Sequence, residues 1–136
     1  MASRFPRGTD FPGEFFVQES LRKWFEQHGF EVTTGQSNPD LLARSPKGAS
    51  WHVEAKGQTS QVGLDFRTGL GQLLQGMSEP VTVYAMGIPN TPQFHAQCQR
   101  VSDWVRSRLS VWWLFVHEDG SVAAVAPPGS NVEAPG

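Results

Sequence analysis

The sequence predicts an α/β protein, a mixed β-sheet flanked by helices. Three observations carry that expectation. Stretches with apolar residues every three or four positions alternate along the chain with short runs of strand composition. Helices placed between strands are what parallel crossovers require. One run, "VWWLFV" at 111–116, is short and nearly all apolar, as a strand covered on both faces must be. With 136 residues, 38% hydrophobic content and five tryptophans, the chain suits a single domain with one sizeable core.

Residues 1–13 contain Pro6, Gly8, Pro12 and Gly13 and read as an arm. The domain proper is expected over 14–126. From Glu14 to His28, Val17, Leu21, Trp24, Phe25 and His28 recur at helical spacing, and Gly29 follows as a C-terminal cap. "FEVTT" is a strand candidate. "DLLAR" and "SWHVEAK" are two more, joined by Ser45-Pro46-Lys47-Gly48, which is strong turn chemistry. Phe66, Leu70, Leu73, Leu74 and Met77 form one stripe of a second helix over Leu64 to Met77. Its glycines 69, 71 and 76 weaken it by propensity but permit a close approach to the sheet. "VTVYAMGI" is a further strand. Gln93 to Leu109 returns to helical spacing through Phe94, Val101 and Val105. "VWWLFV" then turns at Glu118-Asp119-Gly120 into "SVAAV", a C-terminal hairpin. Residues 127–136 have the composition of a flexible tail.

The formal net charge is −2 and the pI about 6.0. A general nucleic-acid coat would be basic, but an enzyme that meets phosphates at one local site remains compatible. Cys98 is the one cysteine, which excludes a disulfide framework and a cysteine zinc cluster and fits a reducing cytoplasm. No apolar run has the roughly 18 residues of a membrane span, and the N-terminus lacks the apolar core of a signal peptide. No membrane association is expected.

The stretch "NPDLLARSPKGASWHVEAKG", 38–57, concentrates the chemistry. Strand side chains alternate, so His52, Glu54 and Lys56 share one face and Trp51, Val53 and Ala55 the other. Folding the hairpin about Lys47 pairs residues whose numbers sum to 94, which sets Asp40 opposite Glu54, or diagonal to it if the turn is centred one residue away. Two carboxylates so placed repel, and one would protonate unless a cation lies between them. An oxygen-only site of this kind suits Mg²⁺ or Mn²⁺. Lys56 beside it can orient a water or stabilise developing negative charge, a combination that fits metal-assisted phosphodiester hydrolysis. Each residue also has a plain reading. Asp40 can be a turn residue, and Glu54 and Lys56 the polar face of a half-exposed strand. Their conjunction points to chemistry.

Pro39-Asp40 followed by Glu54-Ala55-Lys56 resembles the motif of the PD-(D/E)xK nuclease superfamily. The element order around it, a helix, three strands with the motif on the second and third, a helix and a strand, is similar to that superfamily's restriction-endonuclease-like core, also seen in Holliday-junction resolvases. "RTGLGQLLQ", 67–75, resembles the glutamine-bearing helix of several branches. Gly76 departs from relatives of the RecB-like branch, which often carry tyrosine there. The resemblance covers roughly 14–125. It implies that Asp40, Glu54 and the Ala55 carbonyl ligate Mg²⁺ or Mn²⁺, that Lys56 acts on the attacking water, and that Gln72 joins the catalytic set. A first-helix acid, Glu14, is a further metal candidate, although an acid in a first turn also complements the helix dipole. Arg67 and His52 are candidate substrate-binding residues.

The expected function is thus that of a metal-dependent endonuclease acting on DNA, and the alternative is a catalytically silent or partner-dependent nucleic-acid-binding module of the same fold. Few basic residues mean few phosphate contacts, so a homodimer or a separate DNA-reading partner is expected to supply the rest. "HVE" is similar to the H-x-E of zinc deaminases, but those need paired cysteines. Trp112 and Trp113 face opposite ways, so at least one belongs to the core. Arg100, Arg106 and Arg108 are expected on a solvated helix face.

Overall fold

The strands line up in chain order. The computed structural model describes residues 9–34 and 40–135; Pro39, the first residue of the motif, and the arm before residue 9 lie outside the described residues. The elements are α1 (Glu14–Gln27), β1 (Glu31–Thr34), β2 (Asp40–Arg44), β3 (Ser50–Ala55), α2 (Val62–Gln75), β4 (Val83–Pro89), α3 (Pro92–Gln99), α4 (Asp103–Leu109), β5 (Val111–Val116) and β6 (Val122–Val125). They build one six-stranded sheet of order β1-β2-β3-β4-β5-β6. β3, β4 and β5 run parallel, and β1, β2 and β6 pair antiparallel to their neighbours. The protein is therefore α/β, with a mixed open sheet and four helices.

The parallel pairs need crossovers, and α2 and the α3–α4 segment supply them. The sheet is covered on both faces. Val17, Leu21 and Phe25 of α1 pack on Leu41, Ala43, Trp51, Val53, Ala55 and Trp112. Phe66 and Leu73 of α2 and Phe94 and Cys98 of α3 pack on Tyr84, Met86, Ile88, Trp113 and Phe115 of the opposite face. Adjacent residues of β5 thus feed two different cores. This is why "VWWLFV" is apolar throughout, and why both Trp112 and Trp113 are buried. Neither is free to stack on a base.

The helix expected over Gln93–Leu109 is two helices. Ser102 adopts extended backbone, and its hydroxyl accepts from the Val105 amide at 3.2 Å. Ser102-Asp103 is an N-cap followed by a first-turn acid, a start signal that ends α3 and opens α4. α3 begins in the same way, with Thr91 accepting from the Phe94 amide and Pro92 in the first turn.

Arg106 is not on a solvated face. It is 7% exposed. Its Nε donates to the Val111 carbonyl at 3.0 Å and its Nη2 to the Val125 carbonyl at 2.6 Å. The guanidinium lies 4.8 Å from the centre of the Trp113 ring. Arg106 therefore ties α4 to β5 and β6, and burial lowers its pKa from the usual guanidinium value. Arg106→Met is expected to lower stability by about 2–3 kcal/mol, because two carbonyls lose charged donors. Urea unfolding would show it as a shifted midpoint with an unchanged slope. Cys98, buried between α3 and the sheet, has its thiol pushed up to about 12 by that burial, so it is no nucleophile.

Beyond β6, Pro127 is buried and the Ser107 hydroxyl donates to the Pro128 carbonyl at 3.0 Å. No helix among the described residues is long and apolar enough to cross a membrane.

Candidate active site

The β2–β3 hairpin closes where its turn chemistry requires. Ser45 N–H donates to the Ala49 carbonyl, Gly48 N–H to the Ser45 carbonyl, and Gly48 takes the left-handed φ of +91°. The resulting register pairs Asp40 with Glu54, Leu42 with His52 and Arg44 with Ser50. Asp40, His52 and Glu54 point to the α2 face, and Leu41, Ala43, Trp51 and Val53 to the α1 face.

Helix α2 crosses this face closely because glycines line its underside. A Cβ at Gly69 would stand 2.6 Å from Lys56 Cγ and 2.9 Å from Met86 Cε. A Cβ at Gly76 would stand 2.9 Å from His52 Cε1. Gly69 therefore sits over Lys56, and Gly76 over His52. Gln72 lies midway between the two glycines on the helix, as Glu54 lies midway between His52 and Lys56 on the strand. By this count Gln72 falls on the stretch of helix that faces Glu54. The same contact explains Gly76: any larger residue, tyrosine included, would displace the His52 ring. Gly71 has open space around it and plays no part.

Glu54 is completely buried. Neither of its carboxylate oxygens has a hydrogen-bond donor among the described residues, and the same holds for Asp40 Oδ1 and Gln72 Oε1. The other Asp40 oxygen, Oδ2, accepts from His52 Nε2 at 3.1 Å. His52 packs against Tyr84, ring centres 5.5 Å apart, and is thereby held as a partner of Asp40. Four buried acceptor oxygens, from β2, β3 and α2, thus have no donor among the described residues. Buried acceptors are nearly always paired, and an unpaired buried carboxylate costs several kcal/mol. A proton satisfies only one such contact. A small hard cation satisfies all of them, and two carboxylates with an amide oxygen are the ligand chemistry such a cation takes. Among the described residues no group of three or more His, Cys, Asp or Glu side chains is placed to hold a metal. A Mg²⁺-type site is compatible with that, since it usually keeps several waters and takes only one or two carboxylates.

Lys56 follows β3 directly. Its amide donates to the Gly87 carbonyl at 2.9 Å, and its Nζ stands 3.7 Å from Glu14 Oε1. The structure thus brings Asp40, Glu54 and His52 together on one face of the sheet, with α2 packed against that face and Lys56 at the end of the strand. Ala55 connects Glu54 to Lys56, its side chain in the α1 core. Glu14 comes to Lys56. Arg67 is not brought to the site. It is two positions, about 200°, around α2 from Gly69, exposed, with its guanidinium against Gly63 near Gln97 of α3.

A second polar cluster lies where the parallel strands end. The Asn90 amide meets His117 Nδ1 at 2.9 Å and His95 Nε2 at 2.6 Å, and the Thr91 hydroxyl donates to Gln58 Oε1 at 2.6 Å. Sequence reasoning gave these residues no role, and nothing in their spacing marks them. A groove of about 690 Å³, lined by 77–84, Trp112 and 129–132 among others, opens at the other end of β4. Its Tyr84 hydroxyl is committed to the Ser78–Glu79 backbone, and it contains none of the site's carboxylates.

Fold and site together define an α/β domain whose mixed sheet carries a buried, donor-free oxygen cluster beside a lysine. No family model matches the chain, and neither does any curated protein or solved structure.

Proposed function

We propose that this chain is a Mg²⁺- or Mn²⁺-dependent endonuclease of the PD-(D/E)xK type, with a restriction-endonuclease-like fold, that hydrolyses phosphodiester bonds in DNA. One observation carries the reading: four buried oxygens of Asp40, Glu54 and Gln72 have no donor among the described residues, on and around the strand that Lys56 follows. Asp40, Glu54 and the Gln72 amide would hold the cation, with the Ala55 carbonyl beside them. A bound divalent ion supplies Lewis-acid activation of water and of the phosphodiester. His52 fixes the orientation of Asp40 through Oδ2, leaving Oδ1 for the ion. The Lys56 ammonium stabilises negative charge as it develops on the attacked phosphate.

The weak charge shapes the assembly. A net charge of −2 leaves few cations for phosphates, so affinity is expected to come from a homodimer or a separate DNA-reading partner. A free buried thiol suits a reducing compartment such as the cytoplasm.

The test is cleavage of duplex, flap, junction and single-stranded DNA with Mg²⁺, Mn²⁺ or chelator. Metal-dependent cutting that Asp40→Asn abolishes is the expected result. Cutting that survives in Asp40→Asn would remove the site. DNA binding with no cutting on any substrate, metal or added copy of the chain would favour the silent binding module.

A further inference from the structure

We infer that Glu14 positions the Lys56 ammonium and is not a ligand of the cation. The catalytic consequence of this rests on the nuclease reading above. Lys56 is fixed in three places by three elements. Its backbone is held by β4, its N–H donating to the Gly87 carbonyl. Its aliphatic stem lies under α2, where the missing side chain of Gly69 leaves room for Cγ and Cε. Its head is left with Glu14, 3.7 Å away.

The first turn of α1 is itself pinned to the chain around Lys56. A Cβ at Gly57 would collide with the backbone of Gly13 and Glu14, and Gln58 N–H donates to the Pro12 carbonyl at 2.9 Å. Glu14 is therefore delivered by backbone contact to the residue next to Lys56. Helix α1 packs on the opposite face of the sheet from Asp40, Glu54 and Gln72. Its acid meets the lysine just past the end of β3. The Glu14 side chain is 45% exposed, and an ion pair with one partner so open to solvent adds little to stability. Its effect is on where the ammonium points, and misplacement of a reacting group is what rates respond to.

The test uses the full chain as wild type, Glu14→Gln, Lys56→Met and the double variant. Single-turnover cleavage and Mn²⁺ calorimetry are measured on each. The ¹⁵N signal of the lysine Nζ groups is followed as well, a simple spectrum because the chain has only Lys23, Lys47 and Lys56. Glu14→Gln is expected to slow cleavage about 5- to 10-fold with Mn²⁺ affinity unchanged. On the Lys56→Met background it should change the rate less than about two-fold, since the two residues act as one unit. The Lys56 signal should move while those of Lys23 and Lys47 stay. Weakened Mn²⁺ binding in Glu14→Gln would make Glu14 a ligand and overturn the inference. So would equal slowing on both backgrounds, or an unmoved Lys56 signal. If the wild type cuts nothing, the nuclease reading fails, and the Nζ and Mn²⁺ measurements judge Glu14 by themselves.

Discussion

Glu54→Gln is expected to make the metal-free protein more stable, by about 1–3 kcal/mol, while removing its stabilisation by Mn²⁺ and its cleavage. The gain follows from burial. Glu54 is fully enclosed, with neither oxygen paired among the described residues, and its register partner across the hairpin is a second acid, Asp40. Without a cation the carboxylate either stays charged at a cost of several kcal/mol or takes up a proton at neutral pH, which also costs stability. The amide avoids both at constant volume and adds N–H donors among acceptors that have none. The loss follows from the same change, because a neutral amide cannot replace a carboxylate in holding a hard dication. Wild type at a Mn²⁺ concentration 100 times its Kd should gain about 2.7 kcal/mol over the metal-free form, and the variant close to nothing. Thermal unfolding with and without Mn²⁺, on both proteins, reads both signs. A variant less stable than wild type without metal would mean that Glu54 already has a partner and that no cation is needed there.

The pairing behind this prediction was legible because it is local. A four-residue turn with Pro46 and Gly48 leaves little choice of register, so a sum of 94 sets Asp40 against Glu54 before any tertiary contact is considered. The strand character of 111–116 was legible for a similar reason: two-sided burial writes itself into every position. What crosses between distant elements was not. Gln72 lies off the apolar stripe of its helix, and only the close approach at Gly69 and Gly76 places it on the stretch that faces Glu54. Arg106 reads as a surface charge, since helical spacing cannot reveal two carbonyls waiting at the ends of β5 and β6. Ser102-Asp103 did carry a readable cap, but the apolar spacing of Phe94, Val101 and Val105 runs through it and masks the break. Glu14 and Lys56 are 42 positions apart, and their meeting depends on α1 docking against Gly57.

Lys56→Met is expected to cut at least about 100-fold more slowly than wild type while binding Mn²⁺ and DNA as before. The substitution separates the two things the lysine does. Its stem fills the space under Gly69 beside Met86, and an unbranched methionine can occupy the same space, so the helix and the oxygen cluster should stay in place. Its ammonium is lost. A protonated lysine is no ligand for a hard cation, so its place next to two carboxylates calls for another reason. In a binding module that reason would be an ion pair with the half-exposed Glu14, contributing about 0–1 kcal/mol, and Lys56→Met would alter nothing measurable. In a nuclease the ammonium faces charge that appears only as the phosphodiester is attacked. Removing it must then lower the rate and leave ground-state binding intact. Single-turnover cleavage at saturating enzyme gives the rate, and titration of uncleaved DNA in Ca²⁺ gives the affinity. A variant that cuts as fast as wild type would show that Lys56 has no part in the chemical step, and one that loses Mn²⁺ binding would show that its stem, rather than its charge, holds the site together.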